Sequence, residues 1–435
     1  MRSVVKLKGG LDIDLVGKAR QQLMSVSQTS TVYALCPDDF VGIKPRLLVK
    51  VGDEVKAGEA LFENKKYPNV KFVSPVSGTV TDIVRGDRRK VLSVQVRSQE
   101  PMAGLQPSTL SPQPSSPQEI MALLAERGLL GYITQMPYAV SADDERLPDA
   151  VFVSLFRDMP LSADVDFCLQ GREDDFRKGI EVLAKVAPVF IGIRDGEENA
   201  SLLDDIPATI TAFRGKCPVG NVNVQINHVR PINKGDRIWT LEPEVVVFIG
   251  ELFRHGQVSF RKRIAVCGSQ VAEPCYADVV IGQQVAPLLT AVDSGDNVRL
   301  INGNVLTGRR ISSDGFVGAH AYELTAIPEC SDDAELLGWI MPLCMRRKKS
   351  PDARIKGGKR HMIMSGEYDK VLPMDIYAEY LIKAITTQDI DRMEQLGIYE
   401  VAPEDFALAE YVDSSKLELQ RIVREGLEML RKENE

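Results

Sequence analysis

The sequence predicts a multidomain α+β protein, and shifts in its hydrophobic rhythm carry that prediction. Short alternating runs fill the first hundred residues, helix and strand runs then alternate to about residue 256, and the last hundred residues repeat at helical spacing. At roughly 100–200 residues per domain, the length allows about three domains. Hydrophobic content of 44% and charged content of 26% are those of an ordinary globular chain.

The first part is predicted to be a small β-barrel. Runs such as "RLLVKV" and "GTVTDIV" alternate apolar and polar residues, and turn signals such as "VGD" and "RGD" fall between them. The stretch "VGDEVKAGEALFENKKYPNVKFVSPVSGTV" has the rhythm of a biotinyl/lipoyl-carrier-like barrel, a barrel-sandwich hybrid. Such carriers place the modified lysine on a hairpin about six residues before a Ser-Pro pair. Here that pair is Ser74-Pro75, and the tip falls near Asn69, which cannot be acylated. Lys65, Lys66 and Lys71 flank the tip, and Pro68 stiffens it. The expectation is a barrel at 1–100, with N-terminal strands, used as a rigid packing module and not as a swinging arm.

Residues 101–118 form a Pro-rich linker: five prolines stand in "SQEPMAGLQPSTLSPQPSSPQ". A Rossmann-like α/β domain follows at 119–256. "EIMALLAERGLL" reads as a helix, "DAVFVSLF" as a strand, "REDDFRKGIEVLAKV" as a helix and "APVFIGI" as a strand. The strand runs into "RDMPLSADVD" where a dinucleotide site would carry G-x-G-x-x-G, and the chain has no Walker loop. Residues 257–330 read as a small mixed sheet around one short helix. The part at 331–435 is helical, with Gly397 as a stop and Ser415 and Glu418 in capping-box spacing.

Several function classes are disfavoured. A formal charge of −8 argues against a general nucleic-acid binder. The N-terminus lacks the apolar core of a signal peptide, and no run approaches the ~18 apolar residues of a spanning helix. Seven scattered cysteines (36, 168, 217, 267, 275, 330, 344), without a C-x-x-C pair, suggest reduced thiols; no metal site is expected.

Beside this reading, "KGGLDI", "VGIKPRLLVKVGDEVKAGEALFENKK", "SPVSGTV", "RGDRRKVLSV", "INGNVLTGR" and "SGEYDKVLPMDI" resemble, in that order, segments of the A subunit of the bacterial Na+-translocating NADH:quinone reductase, the NQR complex. The resemblance runs from residue 5 to about residue 400. It implies a peripheral component of a six-subunit membrane complex, on the cytoplasmic side of the bacterial inner membrane, supporting quinone reduction coupled to Na+ export. It further implies that 257–330 is a β-grasp (SLBB-like) domain and that the C-terminal helices descend from a cluster-binding scaffold. No cofactor is expected on this chain itself. Ubiquinone or another quinone is the candidate substrate, while NADH, flavins and iron–sulfur centres belong to partner subunits, especially the integral membrane flavoproteins. The alternatives are an Rnf-type electron-transfer subunit or a purely structural docking role without a ligand. Family members often carry two cysteines where this chain has Ala409 and Asp413, so no thiol role transfers.

A quinone headgroup needs an apolar slot and one or two hydrogen-bond donors. His228, Tyr276 and His320 are donors of the right kind, but sequence places none of them in a slot, and no catalytic residue is assigned. One basic segment stands out. Residues 345–362 hold Arg346, Arg347, Lys348, Lys349, Arg354, Lys356, Lys359 and Arg360 against a single aspartate. Such a loop either touches anionic lipid headgroups or an acidic face of the membrane subunits, or is simply solvated.

Overall fold

A computed structural model describes residues 3–24, 30–98, 112, 116–196, 200–203, 205–292, 297–330, 352–355 and 357–434. Strand β1 (Ser3–Lys6) is followed by the strands of the barrel: β2 (Val32–Leu35), β3 (Pro45–Leu47), β4 (Glu54–Val55), β5 (Ala60–Asn64), β6 (Lys71–Val73), β7 (Gly78–Arg85) and β8 (Val91–Ser98). They form two antiparallel sheets, in the orders β2-β8-β7-β4 and β3-β5-β6. Alternation puts Val80, Val94 and Val96 from one sheet against Phe62 and Phe72 from the other, and those two rings stack at 4.8 Å. Burying each such side chain contributes roughly 2 kcal/mol.

The hairpin tip of the barrel is docked. Tyr67 Oη donates to Glu145 at 3.1 Å and Asn69 Nδ2 donates to Asp144 at 2.7 Å. Lys71 is paired with the buried carboxylate of Glu63, and Lys66 lies over the Tyr67 ring. The tip therefore works as a packing surface against the next domain, as its sequence suggested.

That domain contains α1 (Pro117–Glu126), β9 (Thr134–Met136), β10 (Val140–Ser141), β11 (Ala150–Ser154), α2 (Val165–Leu169), α3 (Glu173–Val186), β12 (Val189–Arg194), α4 (Ala200–Leu203), β13 (Thr209–Arg214), α5 (Val222–Val229), β14 (Ile238–Leu241) and α6 (Pro243–His255). Its sheet runs β1-β13-β12-β11-β14-β9-β10, parallel from β1 to β14 and antiparallel thereafter. The period of two sorts its faces. Val151, Val153, Ile191 and Trp239 join the core shared with α1, α3, α6 and the barrel. Phe152 and Ile238 join the core shared with α5 and the C-terminal helices, where Phe152 stacks on Phe190 at 4.7 Å. Helices α3 and α6 approach closely because Gly179 and Gly250 lie at their contact: a Cβ on Gly250 would sit 1.7 Å from Asp175 O.

The N-terminal strand belongs to this sheet, which corrects its grouping with the barrel. β1 pairs in parallel with β13, Val4 opposite Ala212. The chain then crosses the molecule: Leu11 N–H donates to Cys217 O at 2.7 Å, Gly10 N–H to Lys370 O at 2.9 Å, and Met24 N–H to Tyr276 O at 2.8 Å. Gly10 sits at φ 88°, and a Cβ there would meet Cys217 O at 2.4 Å. Strand periodicity could not tell which sheet would receive such a short segment.

The third part holds β15 (Arg261–Cys267), β16 (Cys275–Val280), β17 (Val298–Asn302), β18 (Arg309–Ile311) and β19 (Glu323–Pro328), ordered β16-β15-β19-β17-β18 with only β15–β19 parallel. The C-terminal part packs helices at Ala378–Thr386, Ile390–Gln395, Ala407–Val412 and Leu419–Asn434 through Leu381, Met393, Leu408, Val423 and Leu427. Gly397 ends its helix in the left-handed region, at φ 92°. Ser415 does not cap as expected. The last helix begins at Leu419, and the buried Ser415 hydroxyl donates instead to His361 O at 2.9 Å. Ala409 and Asp413 are both buried, and Asp413 accepts from Ser415 N–H at 3.1 Å and Leu417 N–H at 2.7 Å. A carboxylate here ties down a turn. Among the described residues, no helix is long and apolar enough to cross a membrane.

Candidate functional site at the junction of four domains

A cavity of about 430 Å3 opens where all four parts of the chain meet. Strands β11 and β14 end at it, so it lies beyond the carboxyl ends of the central parallel strands, where open α/β sheets place their ligands. The barrel contributes Asp39 and Val41, the third domain the hairpin 302–309 and the turn 318–323, and the C-terminal part Glu404 and Arg424.

One wall is a buried ionic cluster. Arg157, just past β11, donates through Nη2 to Glu242 at 2.7 Å and to the fully buried Glu244 at 2.6 Å, and its guanidinium lies 4.1 Å over the Tyr322 ring. Burial opposes its charge, but the Glu244 and Glu242 carboxylates outweigh burial and hold it firmly protonated. Next to it, Asp158 accepts from Gly220 N–H at 2.8 Å. Burial pushes its carboxyl up to about 6, against the pull of that bond and of Arg194. On the opposite side Arg424 donates to Tyr138 O at 2.9 Å and Ala139 O at 3.0 Å, joining the last helix to the sheet edge. Asp405 accepts from Ala402 N–H at 2.8 Å and from Asn221 Nδ2 at 3.3 Å; burial pushes its carboxyl well above the usual range.

The turn at 318–320 is clamped from two domains. Lys262 Nζ, itself buried, donates to Gly318 O at 3.0 Å and Ala319 O at 2.9 Å, while Ala319 N–H donates to Asp39 of the barrel at 2.9 Å. Burial lowers the lysine to about 8. The clamp presents His320 to the cavity. The imidazole is exposed there yet ringed by protein, with Phe40 and Tyr132 both at 6.0 Å between centroids. This enclosure, followed by the charges of Lys262 and Arg309, pushes it down to about 4, so the ring is neutral at physiological pH.

Of the three donors singled out in sequence, only His320 reaches the cavity. Tyr276 is buried, its hydroxyl accepting from Asp164 N–H at 2.9 Å, and His228 is an exposed residue of α5. Sequence reasoning missed Arg157 and Asp158. Both stand in the "RDMPLSADVD" loop that lacks a glycine fingerprint, and the available signal was a charged pair directly after the first long strand of the domain. Of the basic segment, Arg346, Arg347, Lys348, Lys349 and Lys356 lie outside the described residues. Arg354 pairs with Asp352 at 2.8 Å, Lys359 pairs with Glu418, and Arg360 N–H donates to Ser415 O at 2.8 Å. Among the described residues no cluster of three His, Cys, Asp or Glu is placed to hold a metal ion.

The domains themselves define the class of protein. Residues 5–99 match the NqrA N-terminal barrel-sandwich hybrid domain, 115–258 the NqrA second alpha/beta domain, and 263–313 the NQRA C-terminal domain. The chain belongs to the NqrA family, the A subunits of Na(+)-translocating NADH-quinone reductases. It is 30% identical to the family member of Rhodopirellula baltica, over 99% of both chains. It is also 30% identical to those of Haemophilus influenzae strain 86-028NP and Actinobacillus pleuropneumoniae serotype 5b, over 99% of this chain and 100% of each relative.

Proposed function

We propose that this chain is the peripheral, cytoplasmic-face subunit of a Na+-translocating NADH-quinone reductase, and that it holds the quinone headgroup in the four-domain cavity. Membership of the family over the full length of its relatives supports the first half. The observation that carries the second is the cavity itself, which lies beyond the carboxyl ends of the parallel strands and has Phe40 and Tyr132 flanking a neutral histidine. A flat ring with two carbonyl oxygens needs apolar contact and a donor but no phosphate cradle; in a lining that is otherwise largely polar, Val41, Tyr132, Phe156, Met159 and Leu241 supply the apolar contact. NADH, flavin and iron–sulfur chemistry stays with partner subunits, chiefly the membrane flavoproteins. The relatives' names do not favour the Rnf-type alternative.

The test is calorimetric titration of a short-chain ubiquinone into the purified full chain and into S162W, which fills the cavity from its loop. Saturable binding lost in S162W is the expected result. No saturation, or equal binding by S162W, overturns the placement.

A further inference from the structure

We infer that the Tyr322 hydroxyl donates a hydrogen bond to one carbonyl oxygen of the bound quinone. The inference rests on the placement of quinone in the cavity and adds to it a residue that recognises the ligand.

Its ground is a buried donor without an acceptor. Tyr322 is 6% exposed and lines the cavity. Its hydroxyl has no hydrogen-bond partner among the described residues, yet the oxygen is not sealed off as that of Tyr368 is. The little surface it keeps opens on the cavity. Buried hydroxyls are normally satisfied. His320 is exposed, so bulk water can serve its ring. At Tyr322 the acceptor has to enter the cavity.

The ring is held, so the hydroxyl keeps its direction. The Arg157 guanidinium lies 4.1 Å and the Lys262 ammonium 4.7 Å from the ring centre, each over the ring. Both cations are themselves anchored, Arg157 by Glu242 and Glu244, and Lys262 by Gly318 O and Ala319 O. The ring also joins a buried cluster with Ala163, Cys168, Ala265 and Tyr276. The backbone is tied as well, since Tyr322 O accepts from Ala265 N–H at 3.0 Å. A donor fixed in this way loses little freedom when a ligand arrives.

The neighbouring polar groups narrow the ligand. Glu242 and Glu244 are engaged with Arg157, Asp158 accepts from Gly220 N–H, and Arg424 donates to Tyr138 O and Ala139 O. These groups are spent within the protein. Burial first, and then the two glutamates, push the ionisation of the Tyr322 hydroxyl well above the usual tyrosine range. It therefore stays protonated and remains a donor. The carbonyl oxygens of a quinone are acceptors only, which is the complement of such a group. Tyr322 keeps its proton in this bond, and the quinone does not change oxidation state on binding.

Infrared difference spectroscopy reads the bond directly. A short-chain ubiquinone, isotope-labelled at one carbonyl carbon and then at the other, is bound to the purified full chain. One carbonyl stretching band should lie below its position in the free quinone, and Y322F should return it to that position. Y322F deletes a single oxygen that bonds to nothing in the protein. Without ligand it should melt at the parental temperature, yet bind the quinone roughly three- to tenfold more weakly, the scale of one lost hydrogen bond.

Unshifted bands in the parent, or the same shifted band in parent and Y322F, overturn the inference. So does a lower melting temperature of ligand-free Y322F, which would show the hydroxyl bonded within the protein. Loss of the shift in Y132F instead would give the donor to the other buried tyrosine of the lining, and overturns it equally. In each of these cases the cavity placement stands as long as S162W abolishes binding. If the parent binds no quinone saturably, the placement falls and the inference falls with it.

Discussion

Arg157 Nη2 lies 2.6 Å from Glu244 Oε2, a carboxylate with no exposed side-chain surface, in the wall of the four-domain cavity. A second carboxylate, Glu242, binds the same guanidinium nitrogen at 2.7 Å but keeps 43% of its side chain exposed. The two bonds have nearly equal lengths and very different surroundings.

Stability should follow the surroundings. E244A leaves the buried Arg157 charge only half paired and is expected to cost roughly 3 kcal/mol, the scale of a broken buried pair. E242A removes a solvent-screened partner and should cost about 1 kcal/mol or less. Denaturant unfolding of both variants measures the difference; equal losses would mean that burial does not set the strength of this cluster.

G250A sets helix propensity against packing. Alanine favours a helix interior over glycine by about 1 kcal/mol. At this position the new methyl would sit 1.7 Å from Asp175 O, a backbone atom that cannot step aside. Overpacking of this kind costs about 1–3 kcal/mol or more, so a net loss of roughly 1–2 kcal/mol is expected. A raised denaturation midpoint would refute the close α3–α6 contact.

Asp405 gives a pH test with a definite sign. Burial raises its folded-state pKa far above the unfolded carboxylate value of about 4. The folded state therefore holds the proton more tightly, and the parent loses stability as pH rises from about 4 toward that raised value, by up to ~1.4 kcal/mol per pH unit. D405N has no proton to lose. Its melting temperature relative to the parent should climb between pH 5 and pH 7. A difference independent of pH would show that Asp405 is ionised in the folded protein.

The docked barrel tip predicts an unmodified chain. Asn69 occupies the carrier position and is bonded to Asp144 at 2.7 Å. The intact mass of the protein from a host with active lipoyl and biotinyl ligases should equal that of the sequence. An added lipoyl or biotinyl group on Lys65, Lys66 or Lys71 would show a mobile hairpin.

The parts of this fold governed by local rhythm were legible in the sequence. Phe152 and Val153 announce a two-sided buried strand, and Gly397 announces a helix end. What depended on distant partners was not. Ser415 and Glu418 have capping-box spacing, yet the Ser415 hydroxyl is drawn away to His361 O, fifty-four residues back. Ser3–Lys6 alternates as a barrel strand would, but its partner is Thr209–Arg214. The cavity was the least legible feature because its wall comes from four separate stretches. His320 could be marked as a donor and Arg157 as a charge, but only folding brings them to one space.

The most direct test of the account is a native purification of the tagged chain from detergent-solubilised membranes of its own host. Co-purifying proteins would be identified by mass, and Na+-stimulated NADH:quinone reductase activity assayed in the same eluate. Recovery of membrane flavoprotein partners together with Na+-dependent activity is the expected result. A chain that elutes alone under gentle detergent, without partners and without activity, would contradict it.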